Sequence, residues 1–170
     1  MALVQAILKR WPLYAFVASA AMLAIAHGFE TFGHLAPCHL CLKQREAYWA
    51  ALAVSAVAVM VGLVRPAAPA PRIASLVLAC VFGYGAYLAA FHAGAEWKWW
   101  PAPETCSSGA GKVSLSDIKA LMSGHAVRGP ACDKPAWIFL GLSMAGWNFL
   151  ASAGLVGLSL AAALRKDRAR

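Results

Sequence analysis

Charged residues are so sparse along this chain that the intervals between them carry the first message. No Asp, Glu, Lys or Arg occurs in residues 11–29, 47–64, 73–95 or 135–164, and each interval is filled mainly by Ala, Leu, Val and Gly. At about 1.5 Å of rise per residue, each is long enough to cross a hydrocarbon core about 30 Å thick. Inside a bilayer the backbone must satisfy its own hydrogen bonds, so the pattern predicts four membrane helices. No series of short alternating strands suggests a barrel. The expected fold is an all-α, four-transmembrane-helix bundle in a single domain, 1–170, with two exported loops at about 30–46 and 96–134. In the second loop, "SLSDIKALM", residues 114–122, places Leu115, Ile118, Leu121 and Met122 at helical spacing, with Ser114 and Asp117 as a cap pair. That predicts a short amphipathic helix lying on the membrane surface.

Composition agrees. Of 170 residues, 61% are hydrophobic and only 13% charged, too few to cover the surface of a water-soluble domain. The basic residues then give orientation. Lys9, Arg10, Arg65, Arg72, Arg165, Lys166, Arg168 and Arg170 fall on one side of a four-span layout, with Asp167 the sole acid there. The rest are spread over two longer loops that also hold six acids. The positive-inside rule puts both termini and the linker "RPAAPAPR" in the cytoplasm. The net charge of +8 is therefore topological, and no basic face or stripe points to nucleic acid. A cleaved signal peptide ending near Ala24-Ile25-Ala26 is the competing reading of the N-terminus, but its apolar run exceeds the usual h-region of about 7–15 residues.

Four of the five cysteines fall in the outward loops, where disulfides persist: Cys38 and Cys41 in the first, Cys106 and Cys132 in the second. Cys80 alone lies within a span, where a small apolar role suits it. Cys106 and Cys132 are far enough apart for a disulfide to close without strain. Cys38 and Cys41 enclose only His39 and Leu40, so a bond between them restrains little chain and makes a poor staple. The same spacing suits a dithiol that exchanges electrons. Two alternatives stand beside it: purely structural disulfides in a membrane scaffold, and a zinc site built from the cysteines with His34, His39 or His125.

"PCHLCLKQR" resembles the Pro-Cys-x-x-Cys motif, with its following arginine, of the disulfide bond formation protein B (DsbB) family. "CDKPAWIFLGLSMAGWN", after the last cysteine, is similar to that family's stretch leading into the final helix. The four spans and the loop cysteines agree as well. The resemblance implies a bacterial inner-membrane oxidoreductase of the DsbA–DsbB–quinone relay, the known route that keeps the periplasm oxidising. It would re-oxidise a DsbA-like, thioredoxin-fold periplasmic oxidase and reduce a membrane quinone, ubiquinone or menaquinone, with no metal. The implied roles are Cys106 as the sulfur attacked by the partner, Cys132 as its bonded mate, and Cys38–Cys41 as the pair re-oxidised by quinone, with Cys41 as the thiolate that engages the ring. Resting bonds would be Cys38–Cys41 and Cys106–Cys132. Arg45 would bind the quinone, and His92 would help to position it.

Arg45 follows Cys41 by four residues, so on a helix the two share a face one turn apart. A fixed positive charge there favours a thiolate and stabilises a developing oxyanion. The plain alternative is an interfacial arginine paired with Glu46 or lipid phosphate. Gln44 is a polar neighbour without an assigned role, and His39 could tune the two sulfurs it lies between. Trp97, Trp99, Trp100 and Trp137 read as an aromatic belt at the outer interface.

Overall fold

A computed structural model describes residues 2–65, 70–103, 122–123 and 131–165. Cys106 and the short helix expected at 114–122 lie outside the described residues, apart from the last position of that helix. Helix α1 (Ala2–Lys9) is followed by α2 (Trp11–Thr31), α3 (His39–Val64), α4 (Ala70–Glu96), the strands β1 (Ile138–Phe139) and β2 (Leu142–Ser143), and α5 (Met144–Leu164). Among the described residues, four helices are long and apolar enough to span a membrane: α2, α3, α4 from Pro71 onward, and α5. Pro12 sits in the first turn of α2, where its missing N–H costs nothing.

Two boundaries differ from the charge-free intervals, and both shape the site. Helix α3 begins at His39, well before residue 47, because Cys38 caps it: the Cys38 Sγ accepts the Cys41 N–H at 3.3 Å. The charged stretch is thus helical. Lys43 pairs with Glu46 at 2.9 Å on the exposed face, which leaves Arg45 to point inward. The last interval, expected to be helical from 135, delays its helix to Met144. Leu140 and Gly141 take φ of 51° and 79°, a left-handed pair that makes a two-residue hairpin turn with Phe139 opposite Leu142. Ser143 then caps α5, its Oγ accepting the Gly146 N–H at 3.2 Å.

Helix α4 is the centre of the packing, lying against both α5 and α3, while α2 covers α3. Small side chains make these approaches close: Ala15, Ala51 and Ala89 are fully buried, and a Cβ on Gly85 would sit in contact with Ala47. Leu78, Phe82, Tyr48 and Trp11 fill the core, with the Trp11 indole donating to Ser159 Oγ at 2.9 Å. The outward faces stay apolar, as at Val57, Met60, Leu63, Tyr87 and Leu158, which suits contact with lipid chains. At the end of α4, Gly94 leaves room for the Trp100 ring, which stacks on Phe91 and donates to its carbonyl at 2.9 Å.

Candidate active site

The start of α3, the end of α4 and the segment before the hairpin converge on one buried cluster. Cys38 and Cys41 are free thiols with their sulfurs 2.9 Å apart. Both bonds were expected at rest; instead the first pair is open, and Cys132 is disulfide-bonded. Lys98, just beyond α4, grips Asp133 through its backbone carbonyl at 2.7 Å and its carboxylate at 2.8 Å. That clamp holds the adjoining Cys132 over the cluster. The sulfurs of Cys38 and Cys132 and a ring nitrogen of His92 all lie within 4.8 Å of one another. The disulfide withdraws Cys132 as a thiolate ligand, so the trio is set for sulfur exchange rather than for a metal.

A hydrogen bond from the Cys41 thiol, and after it the His92 imidazole, hold Cys38 well below the usual thiol range, against the burial that raises it. The helix N-terminus adds to this, since its free N–H groups favour negative charge. In the open pair these hydrogen bonds favour negative charge on Cys38; Cys41, the sulfur expected from sequence to engage the quinone ring, lines the cavity. Arg45 contributes less to either sulfur than its spacing suggests. Its guanidinium is bound to Glu30 of α2 at 2.6 Å and to the Ala26 carbonyl at 3.1 Å, not to Glu46.

A chain of hydrogen bonds fixes the state of His92. The Tyr48 hydroxyl donates to Asn148 Oδ1 at 2.6 Å, and Asn148 Nδ2 donates to Gln44 Oε1 at 2.5 Å. Gln44 Nε2 can then only donate, and it meets His92 Nδ1 at 3.1 Å. Nδ1 must therefore be unprotonated, and the neutral ring carries its proton on Nε2. That N–H faces Cys38 Sγ at 3.7 Å and Glu96 Oε1 at the same distance. Replacing Asn148 with alanine would orphan both Tyr48 and Gln44, so a loss of roughly 1–3 kcal/mol of stability is expected. Thermal unfolding in detergent measures it, and an unchanged transition would mean that the chain is not continuous.

Beside this cluster lies a cavity of about 660 Å³ between α2, α3 and α5. Met22, Leu23, Ile25 and Phe29 give it apolar walls, while Cys41, Gln44, Arg45, His92, Glu96 and Asn148 bring polar groups to it. A mostly apolar pocket with a few convergent polar groups fits a flat, carbonyl-bearing ligand with a lipid tail.

The protein-family model described as "Disulfide bond formation protein DsbB" matches residues 8–162. The chain belongs to the DsbB family. Curated relatives named disulfide bond formation protein B include one from Dechloromonas aromatica, 30% identical over 87% of this chain and 87% of its own length. Another, from Methylococcus capsulatus, is 34% identical over 87% of this chain and 89% of its length. A disulfide bond formation protein B 2 from Pseudomonas entomophila is 31% identical over 91% and 90%. No solved structure matches the chain.

The DsbB family consists of membrane thiol:quinone oxidoreductases, and this member is a multi-pass inner-membrane enzyme that links thiol oxidation to quinone reduction. Of the residues expected from sequence, Cys38, Cys41, His92 and Arg45 line one cavity, and Cys132 lies against Cys38 and His92; Cys106 lies outside the described residues. His39 points to the exposed side, and Cys80 faces outward from α4. Sequence reasoning missed Glu30, Tyr48, Asn148 and Glu96. Their signals were present: Asn148 is a lone amide in an apolar span, and Glu96 follows His92 by one helical turn.

Proposed function

We propose that this DsbB-family enzyme takes electrons from a DsbA-like, thioredoxin-fold oxidase in the periplasm and passes them through two cysteine pairs to ubiquinone or menaquinone. The meeting of Cys38, His92 and Cys132 beside the cavity carries this reading. The partner's thiolate attacks Cys106, and Cys132 leaves as a thiolate. Cys132 then attacks Cys38 of the oxidised pair, forming a Cys38–Cys132 bond and releasing Cys41. The partner's second thiol closes its own disulfide and frees Cys106, which re-forms the bond to Cys132. Cys38 and Cys41 are left as a dithiol holding the partner's two electrons.

A bound quinone supplies the terminal sink, accepting two electrons and two protons as Cys38 and Cys41 close to a disulfide. Arg45, held in place by Glu30, would hold the quinone ring through its guanidinium, and His92, in the same cavity wall, would help to position it. Both termini lie in the cytoplasm, on the side marked by Lys9, Arg10, Arg65, Arg72 and Arg165.

The test mixes purified enzyme, quinone and a reduced thioredoxin-fold oxidase and follows quinone absorbance. One quinone consumed per partner disulfide formed is expected. No quinone consumption, with zinc bound stoichiometrically to four alkylatable thiols, would replace the redox reading with a metal-binding one.

A further inference from the structure

Glu96 is left over by the scheme above, and its setting demands a role. The side chain is 4% exposed, at the end of α4. Oε1 faces the His92 N–H at 3.7 Å, and the Ser143 side chain, whose oxygen caps α5, lies near the carboxyl. Oε2 is buried with no partner at all, although the carboxyl lines the cavity. An ionised carboxylate with an unpartnered oxygen is costly to bury, and more so beside a thiolate. A neutral carboxylic acid in the cavity wall fits the same atoms.

Besides the reacting thiol, only Lys134 among the other described groups here also carries an acidic proton, and it stands exposed at the cavity edge. Helix α3 brings the Cys38–Cys41 pair, which is the electron donor, and Arg45, which stays charged and is bound to Glu30. Helix α4 brings His92, whose Nδ1 is capped by an amide N–H and so cannot accept a second proton for relay. The segment before the hairpin brings Lys134 at the cavity edge and Cys132, which is disulfide-bonded.

We propose that Glu96 is the general acid of quinone reduction: it holds a proton while the Cys38–Cys41 pair is reduced and gives it up to the reduced quinone as the disulfide forms. The step balances. Before it, the site holds the Cys38–Cys41 pair as one thiolate and one thiol, and Glu96 as CO₂H. Two electrons leave the sulfurs as the S–S bond forms. The thiol and Glu96 protons go to the two quinone oxygens, and Glu96 remains as a carboxylate. The negative charge has moved from the sulfur pair to Glu96, so the step leaves the net charge of the site unchanged. Glu96 regains its proton from solvent when the pair is next reduced. This role rests on the thiol-to-quinone reading.

Infrared difference spectra of quinone-free enzyme, taken between the dithiol and disulfide forms of Cys38–Cys41, test the proton directly. In the wild type, a carboxylic-acid carbonyl band should vanish on oxidation and a carboxylate band appear. Glu96→Gln should abolish both changes, and Glu96→Asp should restore them. In single turnover, Glu96→Gln should slow quinone reduction by roughly 10²-fold or more, as for loss of a general acid, with partner exchange unchanged. No carbonyl change in the wild type, or a wild-type rate in folded Glu96→Gln, would overturn the proposal. Failure of wild-type enzyme to reduce quinone would count against the thiol-to-quinone reading instead, since the infrared signal needs no quinone.

Discussion

Cys132→Ser should stop steady-state turnover and leave the enzyme joined to its partner through Cys106. In the proposed relay Cys132 hands on to Cys38 the electrons that enter at Cys106, and its sulfur lies with Cys38 and His92 in one group no wider than 4.8 Å. Residues that act as a unit lose nearly everything when one is removed, so the expected loss is on the order of 10⁴-fold or more. The chemistry beyond the break should survive. If Cys38 and Cys41 are reduced by a small dithiol, Cys132→Ser should still pass electrons to quinone in a single turnover. Non-reducing electrophoresis reads the trapped complex, and stopped-flow absorbance reads the quinone step. Trapping by Cys106→Ser in place of Cys132→Ser would reverse the order of the two sulfurs. Loss of the single-turnover step in Cys132→Ser would mean that Cys132 shapes the quinone site as well.

Arg45→Met should raise the apparent KM for quinone and slow re-oxidation of Cys38 and Cys41, with exchange at the Cys106–Cys132 pair little changed. Losing a hydrogen bond from a charged donor costs roughly 1.5–3 kcal/mol, or about 10- to 150-fold. The geometry adds a control that the sequence did not suggest. Removing Arg45 strands the Glu30 carboxylate, so part of any defect could come from that orphan. The double variant Arg45→Met with Glu30→Gln removes the stray charge, and the quinone defect should persist in it. Arg45→Lys should recover only part of the affinity, because the charge remains but the planar fork that reaches both Glu30 and the Ala26 carbonyl does not. Unchanged quinone dependence in a folded Arg45→Met would make Arg45 a strut between α2 and α3, and would move the search for the ring contact toward His92.

The spans were legible because a bilayer imposes one rule, freedom from charge over a fixed length, that a single sequence displays openly. What the rule could not show was where a helix starts once it has left the bilayer. Lys43, Arg45 and Glu46 look like loop by charge, yet a sulfur at Cys38 caps their helix and turns Lys43 and Glu46 toward each other. Conversely, residues 135–143 are apolar enough to pass for membrane, but the left-handed pair Leu140–Gly141 folds them into a hairpin. Its Trp137 and Phe139 stack on each other, and Trp137 also packs against Phe29 of α2.

The site divides in the same way. The cysteines announced themselves by spacing, and Arg45 by its cost at a membrane edge. Gln44, Asn148 and Tyr48 act only through one another across α3 and α5, and no local pattern ties residues 104 positions apart. The approach of Cys38 to His92 was likewise invisible, because it joins residues 54 positions apart.

The cluster of Cys38, Leu40 and Cys132, with Phe91 and Ala102 packed against it, also acts as insulation. Cys38 is 5% exposed and Cys132 fully covered, so of the sulfurs grouped here only Cys41, half-buried on the cavity side, is open to a small dithiol. Thiol–disulfide exchange requires direct contact between sulfurs, unlike tunnelling between metal centres, so cover of this kind works as sheathing on a wire. The covered sulfurs, Cys38 and Cys132, are thereby guarded against a short circuit between thiol pool and quinone pool. Access then filters reductants at those two positions before potential does.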